Sequence, residues 1–285
     1  MAKPPNLFDI PAYFINMDER KDRLKRFLDQ DIVPKMHNLK RIRAFNGKGI
    51  RNYKHDRRIS LRTRFNIYRN YRRSNHEIAT LGAVGASMSH IGIWKRFLET
   101  GAPLCLVLED DARITEEDFQ KAAGLWSTLP SSWGAWILGY YEPNLVVEPI
   151  DASWNRVYNF TAAHAYLLKR ETAAKLLEDA LPVEMHVDHY MAVSATMKGF
   201  DILQHPSINI PFWGVEEGPR IKDSNTSQHK RRGCKTCKIP DDMGQLYREY
   251  SKRSSKGITV KGPTNGQQSN MIRTFHNTRK MRRIA

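Results

Sequence analysis

Residues 104–111 read LCLVLEDD, an unbroken apolar run that ends in three acidic residues. A run of five apolar residues without polar alternation predicts a strand that is buried on both faces, as strands of parallel sheets are. Gly101 and Pro103 separate this run from the helical periodicity before it. We therefore expect a sheet strand here, with the acidic triplet 109–111 at its carboxyl end.

The sequence on both sides of this strand alternates between apolar runs and helical spacing. Further apolar runs lie at 12–17, 135–139 and 161–168, and helical patterns lie at 18–30, 84–98, 116–127 and 171–181. This alternation predicts an α/β fold, with a doubly wound sheet that carries helices on both faces.

Composition excludes several classes of protein. With 40% hydrophobic and 10% aromatic residues among 285, the chain is not a disordered one. Three cysteines are too few for a secreted disulfide scaffold, which predicts a reducing, cytoplasmic setting. No window approaches the ~20 apolar residues that span a bilayer, so we expect a soluble protein, at most peripheral to a membrane.

The formal net charge of +16 is concentrated in two segments. Residues 35–73 hold 14 Lys and Arg against one acid, and residues 220–285 hold 17 against four. The rest of the chain is therefore mildly acidic. We predict a domain at 1–219 that carries a basic insertion at 35–73, followed by a basic, partly irregular C-terminal extension at 220–285.

The acidic triplet has the chemistry of a cation site. Residues i and i+2 of an extended segment project to the same side, so Glu109 and Asp111 could share one divalent cation while Asp110 faces away, toward the backbone or a ribose. Hard carboxylate oxygens suit Mg²⁺ or Mn²⁺, which complete their shell with water and substrate phosphates. The alternative is that the triplet caps the next helix, because acids favour first turns.

Several motifs in order along the chain resemble the family 25 glycosyltransferases, which include lipooligosaccharide and collagen galactosyltransferases. The similarity covers roughly residues 12–210, departs from the family at Ala86 and Thr172, and rests on these segments: FINMD at 14–18 with Arg20, Asp22 and Arg23; LGAVGASMSH at 81–90 with Trp94; LVLEDD at 106–111; ILG at 137–139; TAAHAYLL at 161–168; and the block 183–188.

The resemblance implies a GT-A fold: a Rossmann-like, doubly wound mixed sheet in which residues 109–111 act as the metal motif. It also implies a UDP-sugar donor, Mn²⁺ or Mg²⁺, and inversion at the anomeric carbon. Inversion needs a general base opposite the leaving group, for which we take Asp188, with Glu216 and Glu217 in reserve. Asp188 could instead be a helix N-cap or a third metal ligand.

Residues around the first strand are candidates for binding the donor nucleotide, namely Phe14, Ile15, Asn16, Arg20, Arg23 and Asp110. The alternative for Arg20 and Arg23 is a solvated helix start, in which Arg23 pairs with Asp18 or Asp22. His90 lies on a core-facing helix, where it is either a satisfied core histidine or a group at the pocket edge that points to the metal.

The basic segments interleave cations with aromatic residues, a composition that suits a polyanionic acceptor. The candidate residues are Arg57, Arg58, Arg62, Arg64, Arg69, Arg72, Arg73, Lys230, Arg231 and Arg232. DNA with a hydroxylated base is slightly favoured. The alternatives are a lipooligosaccharide or lipid-linked glycan at an anionic membrane surface, and a non-catalytic nucleic-acid-binding module. Cys234 and Cys237 form one CxxC after His229, which favours a reduced turn over a zinc site.

Overall fold

The computed structural model of the chain describes residues 5–70, 72, 74 and 76–213. It confirms the α/β prediction. One mixed sheet contains eight strands in the order β2-β1-β3-β7-β4-β8-β6-β5. The strands are β1 (Ala12–Asn16), β2 (Leu39–Arg43), β3 (Leu104–Glu109), β4 (Trp133–Gly139), β5 (Val146–Pro149), β6 (Asn155–Asn159), β7 (Ala165–Lys169) and β8 (Asp201–Gln204).

Helices cover both faces of this sheet. They are α1 (Lys21–Leu28), α2 (Leu61–Arg69), α3 (Leu81–Glu99), α4 (Glu116–Leu125), α5 (Arg170–Leu177) and α6 (Val187–Lys198). Apolar residues of α3, α5 and α6 pack on one face of the sheet in one core cluster, and those of α1 and α4 pack on the other face in a second. The central strands β3 and β4 are therefore buried on both sides, as their unbroken apolar runs predict.

The directions of the strands bring the carboxyl ends of several of them to the same side of the sheet. Strands β1, β2, β3, β4 and β8 are parallel to one another, whereas β7 runs antiparallel between β3 and β4. The carboxyl ends of β1, β3 and β4 therefore meet the amino end of β7. Ligands of open α/β sheets bind at this edge, because loops and helix N-termini converge there.

The segment 35–73 is not an insertion in its entirety, which corrects the sequence-based boundary. Its residues 39–43 form β2, the edge strand that pairs in parallel with all five residues of β1. High charge concealed this strand, because an edge strand is solvated on one side and tolerates Lys40, Arg41 and Arg43 in place of an apolar run. The rest of the segment holds short helical turns and α2.

Candidate active site

The acidic triplet lies at the carboxyl end of β3, as predicted. Glu109 is the last residue of the strand, and its backbone N–H donates to the carbonyl of His164 at 2.8 Å. The next helix, α4, has a cap of its own: the Thr115 side chain accepts from the Asp118 N–H, and Asp118 accepts in return from the Thr115 N–H. The triplet therefore does not serve as the cap of α4.

Asp110 faces the interior and is held by two partners from the first strand and helix. Asn16 Nδ2 donates to Asp110 at 2.7 Å, and Arg23 donates to it at 2.8 Å. The same guanidinium nitrogen also lies 3.1 Å from Asp111. Sequence reasoning did not suggest this pairing of Arg23 with the triplet. Burial raises the pKa of Asp110, and the Arg23 charge and the Asn16 hydrogen bond oppose that shift.

Asp111 has an unsatisfied buried oxygen. Its Oδ1 is buried and has no hydrogen-bond partner among the residues that the structure describes. Burial and the neighbouring Glu109 charge raise the pKa of Asp111 to about 7. Asp110 and Asp111 thus share the Arg23 guanidinium, and the buried Asp111 Oδ1 has no hydrogen-bond partner among the described residues. This arrangement fits a hard cation, because a cation would satisfy that oxygen and relieve the repulsion.

Glu109 is oriented by a chain of buried side chains. Trp94 Nε1 donates to the Tyr166 hydroxyl at 3.0 Å, Tyr166 lies 2.9 Å from His90 Nδ1, and His90 Nε2 lies 3.3 Å from Glu109. An ionised carboxylate only accepts, so His90 Nε2 carries a proton toward Glu109, and in the neutral ring Nδ1 accepts from the Tyr166 hydroxyl. Burial raises the pKa of Glu109, but the His90 hydrogen bond and the Arg23 charge outweigh burial, so the net shift is downward.

The glycines and serine of the motif at 81–90 position His90. A Cβ on Gly85 would lie 2.5 Å from the carbonyl oxygen of Phe45, so only glycine permits this contact. Ser89 Oγ then accepts from the Phe45 N–H at 2.8 Å. The loop after β2 is thereby fastened to α3 one residue from His90. His90 is buried and hydrogen-bonded through both ring nitrogens, as a satisfied core histidine is, and its Nε2 faces Glu109.

The segment before β7 connects the triplet to Asp188. Ala162 has φ +71°, a left-handed conformation that costs energy for a residue with a Cβ. Its N–H donates to Asp188 at 3.1 Å, and the His189 N–H donates to the other Asp188 oxygen at 2.8 Å. Asp188 is in the first turn of α6, whose N-cap is His186. Burial raises the pKa of Asp188, which suits a proton acceptor near neutral pH.

His164 is a site-edge residue that sequence reasoning quoted in a motif without giving it a role. It is buried, its Nε2 lies 2.7 Å from the carbonyl of Ile210, and a Cβ on Gly139 would approach Nε2 to 2.1 Å. The glycine at the end of β4 therefore makes room for this ring beside the triplet. The TAAHAYLL motif signalled both His164 and Tyr166.

The predicted donor-binding residues occupy different environments. Phe14 and Ile15 are buried in β1, where Phe14 stacks on Phe27 at 4.3 Å, so their side chains belong to the core. Asn16 is buried and holds Asp110, and its Oδ1 accepts from Arg41, a residue that sequence reasoning missed. Arg20 pairs with Asp22 at 2.6 Å.

The predicted polyanion-binding residues do not form one uniform surface. Arg72 is buried, which removes it from any macromolecular contact. Arg58 pairs with Asp56 at 2.6 Å, and Arg62 lies near two acids, Glu77 and Glu184. Arg57 and Arg69 are exposed, and Arg64 is partly exposed. Other predicted residues lie outside the described part of the chain, namely Arg73, Glu216, Glu217, His229, Lys230, Arg231, Arg232, Cys234 and Cys237.

Within the described residues, no group of three or more His, Cys, Asp or Glu side chains is arranged to hold a metal ion. A cation at Glu109 and Asp111 would therefore depend on water and substrate oxygens for the rest of its shell, as Mg²⁺ commonly does. None of the helices in the same part of the chain is both long and apolar enough to cross a bilayer.

Comparison with known proteins agrees with this geometry. Residues 9–131 match the model of glycosyltransferase family 25, described as an LPS biosynthesis protein. This segment is less than half of the chain, and over it the chain is similar to glycosyltransferase family 25. A "Glycosyltransferase 25 family member" of Anopheles gambiae is 30% identical over 122 residues, 40% of this chain. The chain matches only 20% of that relative's length.

The family 25 match and the name of the relative both concern glycosyltransferases, and the chain is similar to them over the matched segment. A crystal structure of mannose-1-phosphate geranyltransferase from Thermus thermophilus aligns with a TM-score of 0.35 and 10% identity, over 76% of this chain and 79% of that one. The observed mixed sheet with helices on both faces is consistent with the GT-A arrangement that the family 25 resemblance implies.

Proposed function

We propose that the chain transfers a sugar from a UDP-sugar to an acceptor hydroxyl, with Mn²⁺ or Mg²⁺ held by Glu109 and Asp111. The observation that carries this proposal is the unsatisfied Asp111 Oδ1, which is buried in a triplet of carboxylates at the carboxyl edge of a family 25 sheet. A cation bound there supplies charge neutralisation for the departing diphosphate.

The surrounding residues hold the donor side in place. Asn16 and Arg23 fix Asp110 and so fix the backbone between the two proposed metal ligands. Gln30 contributes from α1's end, where its amide donates to the carbonyl of Ala112 and accepts from the N–H of Ile114. Because both ends of the triplet are tied down, its carboxylates are preorganised for binding a cation.

On the acceptor side, we propose Asp188 as the general base of an inverting reaction. The acceptor hydroxyl oxygen forms the new bond to the anomeric carbon as the bond to the diphosphate oxygen breaks. The hydroxyl proton passes to Asp188, and UDP leaves with the electron pair of the broken bond. The backbone hydrogen bonds to Asp188 hold the carboxylate still, and its raised pKa favours proton acceptance.

For the acceptor we propose a polyanion, met by the exposed cations Lys54, Arg57 and Arg69. Lys54 and Arg57 lie in the segment that leads to α2, and Arg69 is the last residue of α2. Residues 58–63 hydrogen-bond to residues 183–184, close in sequence to Asp188. DNA with a hydroxylated base and a glycan carried on an anionic surface are both compatible with this charge, and we place the enzyme in the cytoplasm in either case.

The substitution Asp111→Asn tests the proposed metal ligand. The substitution keeps the shape of the side chain and removes the charge, so we expect Mn²⁺ affinity to fall by at least about tenfold. Isothermal titration calorimetry measures this without turnover. Slow Mn²⁺-dependent hydrolysis of the UDP-sugar should fall in parallel. A thermal-shift screen of nucleotide sugars identifies the donor beforehand, because a ligand at 100 times its Kd adds ~2.7 kcal/mol of apparent stability.

The matched control is Asp31→Asn, which removes an exposed carboxylate far along the chain from the triplet. It should bind Mn²⁺ as the unsubstituted protein does. Equal Mn²⁺ affinity and equal hydrolysis in the Asp111→Asn protein would refute the metal assignment. Hydrolysis that is stronger with a different nucleoside diphosphate sugar would refute the UDP assignment alone.

A further inference from the structure

Helix α2 displays three large apolar or aromatic side chains to solvent, whereas its Ile67 packs against the core. Leu61, Phe65 and Tyr68 are 75%, 56% and 61% exposed. Their spacing of four and three residues puts them on one face of the helix. The opposite face carries Thr63 and Asn66, which are buried. Its amphipathicity is thus the reverse of that of a helix which packs its apolar side on a core.

Hydrogen bonds to the polar face fix this orientation. Thr63 Oγ1 donates to the carbonyl of Glu184, and Asn66 Nδ2 donates to Glu77 and to the carbonyl of Ile78. At the start of the helix the Ser60 side chain accepts from the Thr63 N–H. The helix cannot rotate its apolar face inward without leaving these buried polar groups unsatisfied. The exposed face is therefore built into the fold.

The apolar face is surrounded by positive charge. Helix α2 contains three arginines and no acid. The Lys54 ammonium lies 4.9 Å from the Tyr68 ring centre, and the Arg69 guanidinium lies 5.7 Å from that of Phe65. Arg57 is exposed nearby in sequence, and no ion pair of it is present among the described residues. The partner of this face is therefore both anionic and apolar.

Charge decides among the possible occupants. A second copy of the chain would bring the same basic face, and the C-terminal segment 220–285 holds 17 Lys and Arg against four acids, so both would be repelled. Nucleic acid would stack on exposed rings, but one face of each ring is already covered by a cation, and Leu61, the most exposed of the three, offers no ring.

We propose that the α2 face, defined by Leu61, Phe65 and Tyr68 with Lys54, Arg57 and Arg69, docks on an anionic lipid bilayer. The apolar side chains enter the interface between headgroups and acyl chains. The cations lie at the level of the lipid phosphates, which attract them. This inference takes the three cations that the proposed function gives to a polyanionic acceptor and assigns them to a lipid surface. The docking itself does not require sugar transfer or a bound metal ion.

The test is flotation of the full chain with vesicles made of equal parts phosphatidylcholine and phosphatidylglycerol, at about 150 mM salt so that long-range attraction is screened. The variant Leu61→Ser/Phe65→Ser/Tyr68→Ser keeps every charge and should bind about tenfold or more weakly. The matched control Leu28→Ser/Tyr141→Ser/Met197→Ser removes three exposed apolar side chains elsewhere and should bind as the unsubstituted chain does. Neutral phosphatidylcholine vesicles should not bind any of them.

Equal vesicle binding by the two triple variants would overturn the proposal, because attraction would then come from net charge alone. Loss of binding to single-stranded DNA in the α2 variant, with vesicle binding unchanged, would overturn it in favour of nucleic acid. The single variant Phe65→Ser, with about a threefold effect expected, tests the same face if the triple variant does not fold. Mn²⁺ affinity, measured in parallel, should be unchanged in every variant, which separates this test from that of the proposed function.

Discussion

At the scale of single residues, Tyr166 links the core to the candidate site. Its hydroxyl accepts from Trp94 and donates to His90, whose other nitrogen faces Glu109. The aromatic residues of two separate motifs, on α3 and β7, therefore orient one carboxylate. A ligating carboxylate that is held by a neighbouring hydrogen bond keeps its orientation when the cation leaves.

Tyr166→Phe should weaken both the fold and the cation site. Trp94 Nε1 and His90 Nδ1 are buried and lose their hydrogen-bond partner, which lowers the free energy of unfolding by about 2–4 kcal/mol. Mn²⁺ affinity should fall by about tenfold, because Glu109 loses its fixed orientation. Urea denaturation and calorimetry measure the two effects.

Tyr13→Phe is the control for this experiment. Tyr13 is also buried, but it is the second residue of β1, toward the amino end of the strand and away from the acidic triplet. It should lower stability and leave Mn²⁺ affinity unchanged. If both substitutions reduce Mn²⁺ affinity equally, the effect comes from lower overall stability and not from the hydrogen bonds that link Tyr166 through His90 to Glu109.

Sequence reasoning placed the triplet at the end of an apolar strand and His90 on a core-facing helix, and both lie there. The roles given to them and to Asp188 stay predictions. Sequence reasoning did not predict that Asn16 and Arg23 bind Asp110, since hydrogen bonds across 94 and 87 residues of separation depend on strand order. It also gave no role to Tyr166, which reads as one more apolar residue of a buried strand. Roles that depend on long-range partners cannot be obtained from local pattern.

At the scale of elements, β2, β5, β6 and β8 were missing from the sequence-based description. These strands have four or five residues each, and β2, β5 and β6 mix charged or polar residues with apolar ones. Such strands are stabilised by pairing with a sheet already formed, which local hydrophobicity does not reveal. The long apolar strands and α3, by contrast, were predicted within a few residues of their ends.

Of Gly85 and Gly92 in helix α3, only Gly85 is required by close packing. In Gly85→Ala the new Cβ would meet the backbone of Phe45 and Gly47, which cannot yield without moving the loop. We expect a loss of about 2–3 kcal/mol in unfolding free energy.

Gly92→Ala is the matched substitution in the same helix. A Cβ at Gly92 would meet nothing within 4 Å. The change should therefore stabilise the protein by about 0.5–1 kcal/mol, through higher helix propensity. Thermal denaturation of the two variants compares them directly. Similar losses in both would show that the contact between the loop and α3 is not the cause.

At the scale of the whole molecule, a buried histidine cluster next to Asp188 sets the response to acid. The rings of His76 and His189 have centres 3.9 Å apart, and those of His186 and His189 are 6.3 Å apart. Burial lowers the pKa of His186 to about 4, with the charges of His189, Arg72 and His76 acting in the same direction and Asp188 opposing them. Burial likewise lowers the pKa of His189.

A histidine whose pKa is lowered in the folded protein reduces the free energy of unfolding as the pH falls, because the unfolded chain binds the proton first. The unfolded chain protonates His186 below its ordinary pKa of 6.5, while the folded protein does so only near 4. Stability from this group is therefore complete at neutral pH and declines between those values, by about 2 kcal/mol at about pH 5. Urea denaturation of His186→Asn should show this much less loss than the unsubstituted protein between about pH 7.5 and about pH 5. The exposed His55→Asn serves as the control and should change nothing.

The position of β7 has a consequence for how the protein is made. The family match ends at residue 131, yet the neighbour of β3 in the sheet is β7, which the chain reaches only at residue 165. A fragment cut at the end of the match would contain β1, β2 and β3 and leave the hydrogen-bonding edge of its most apolar strand open to other chains. During synthesis the same edge of β3 stays unpaired until β7 has emerged from the ribosome. Expression of shortened versions should therefore yield aggregates, and the shortest useful length extends at least through β8.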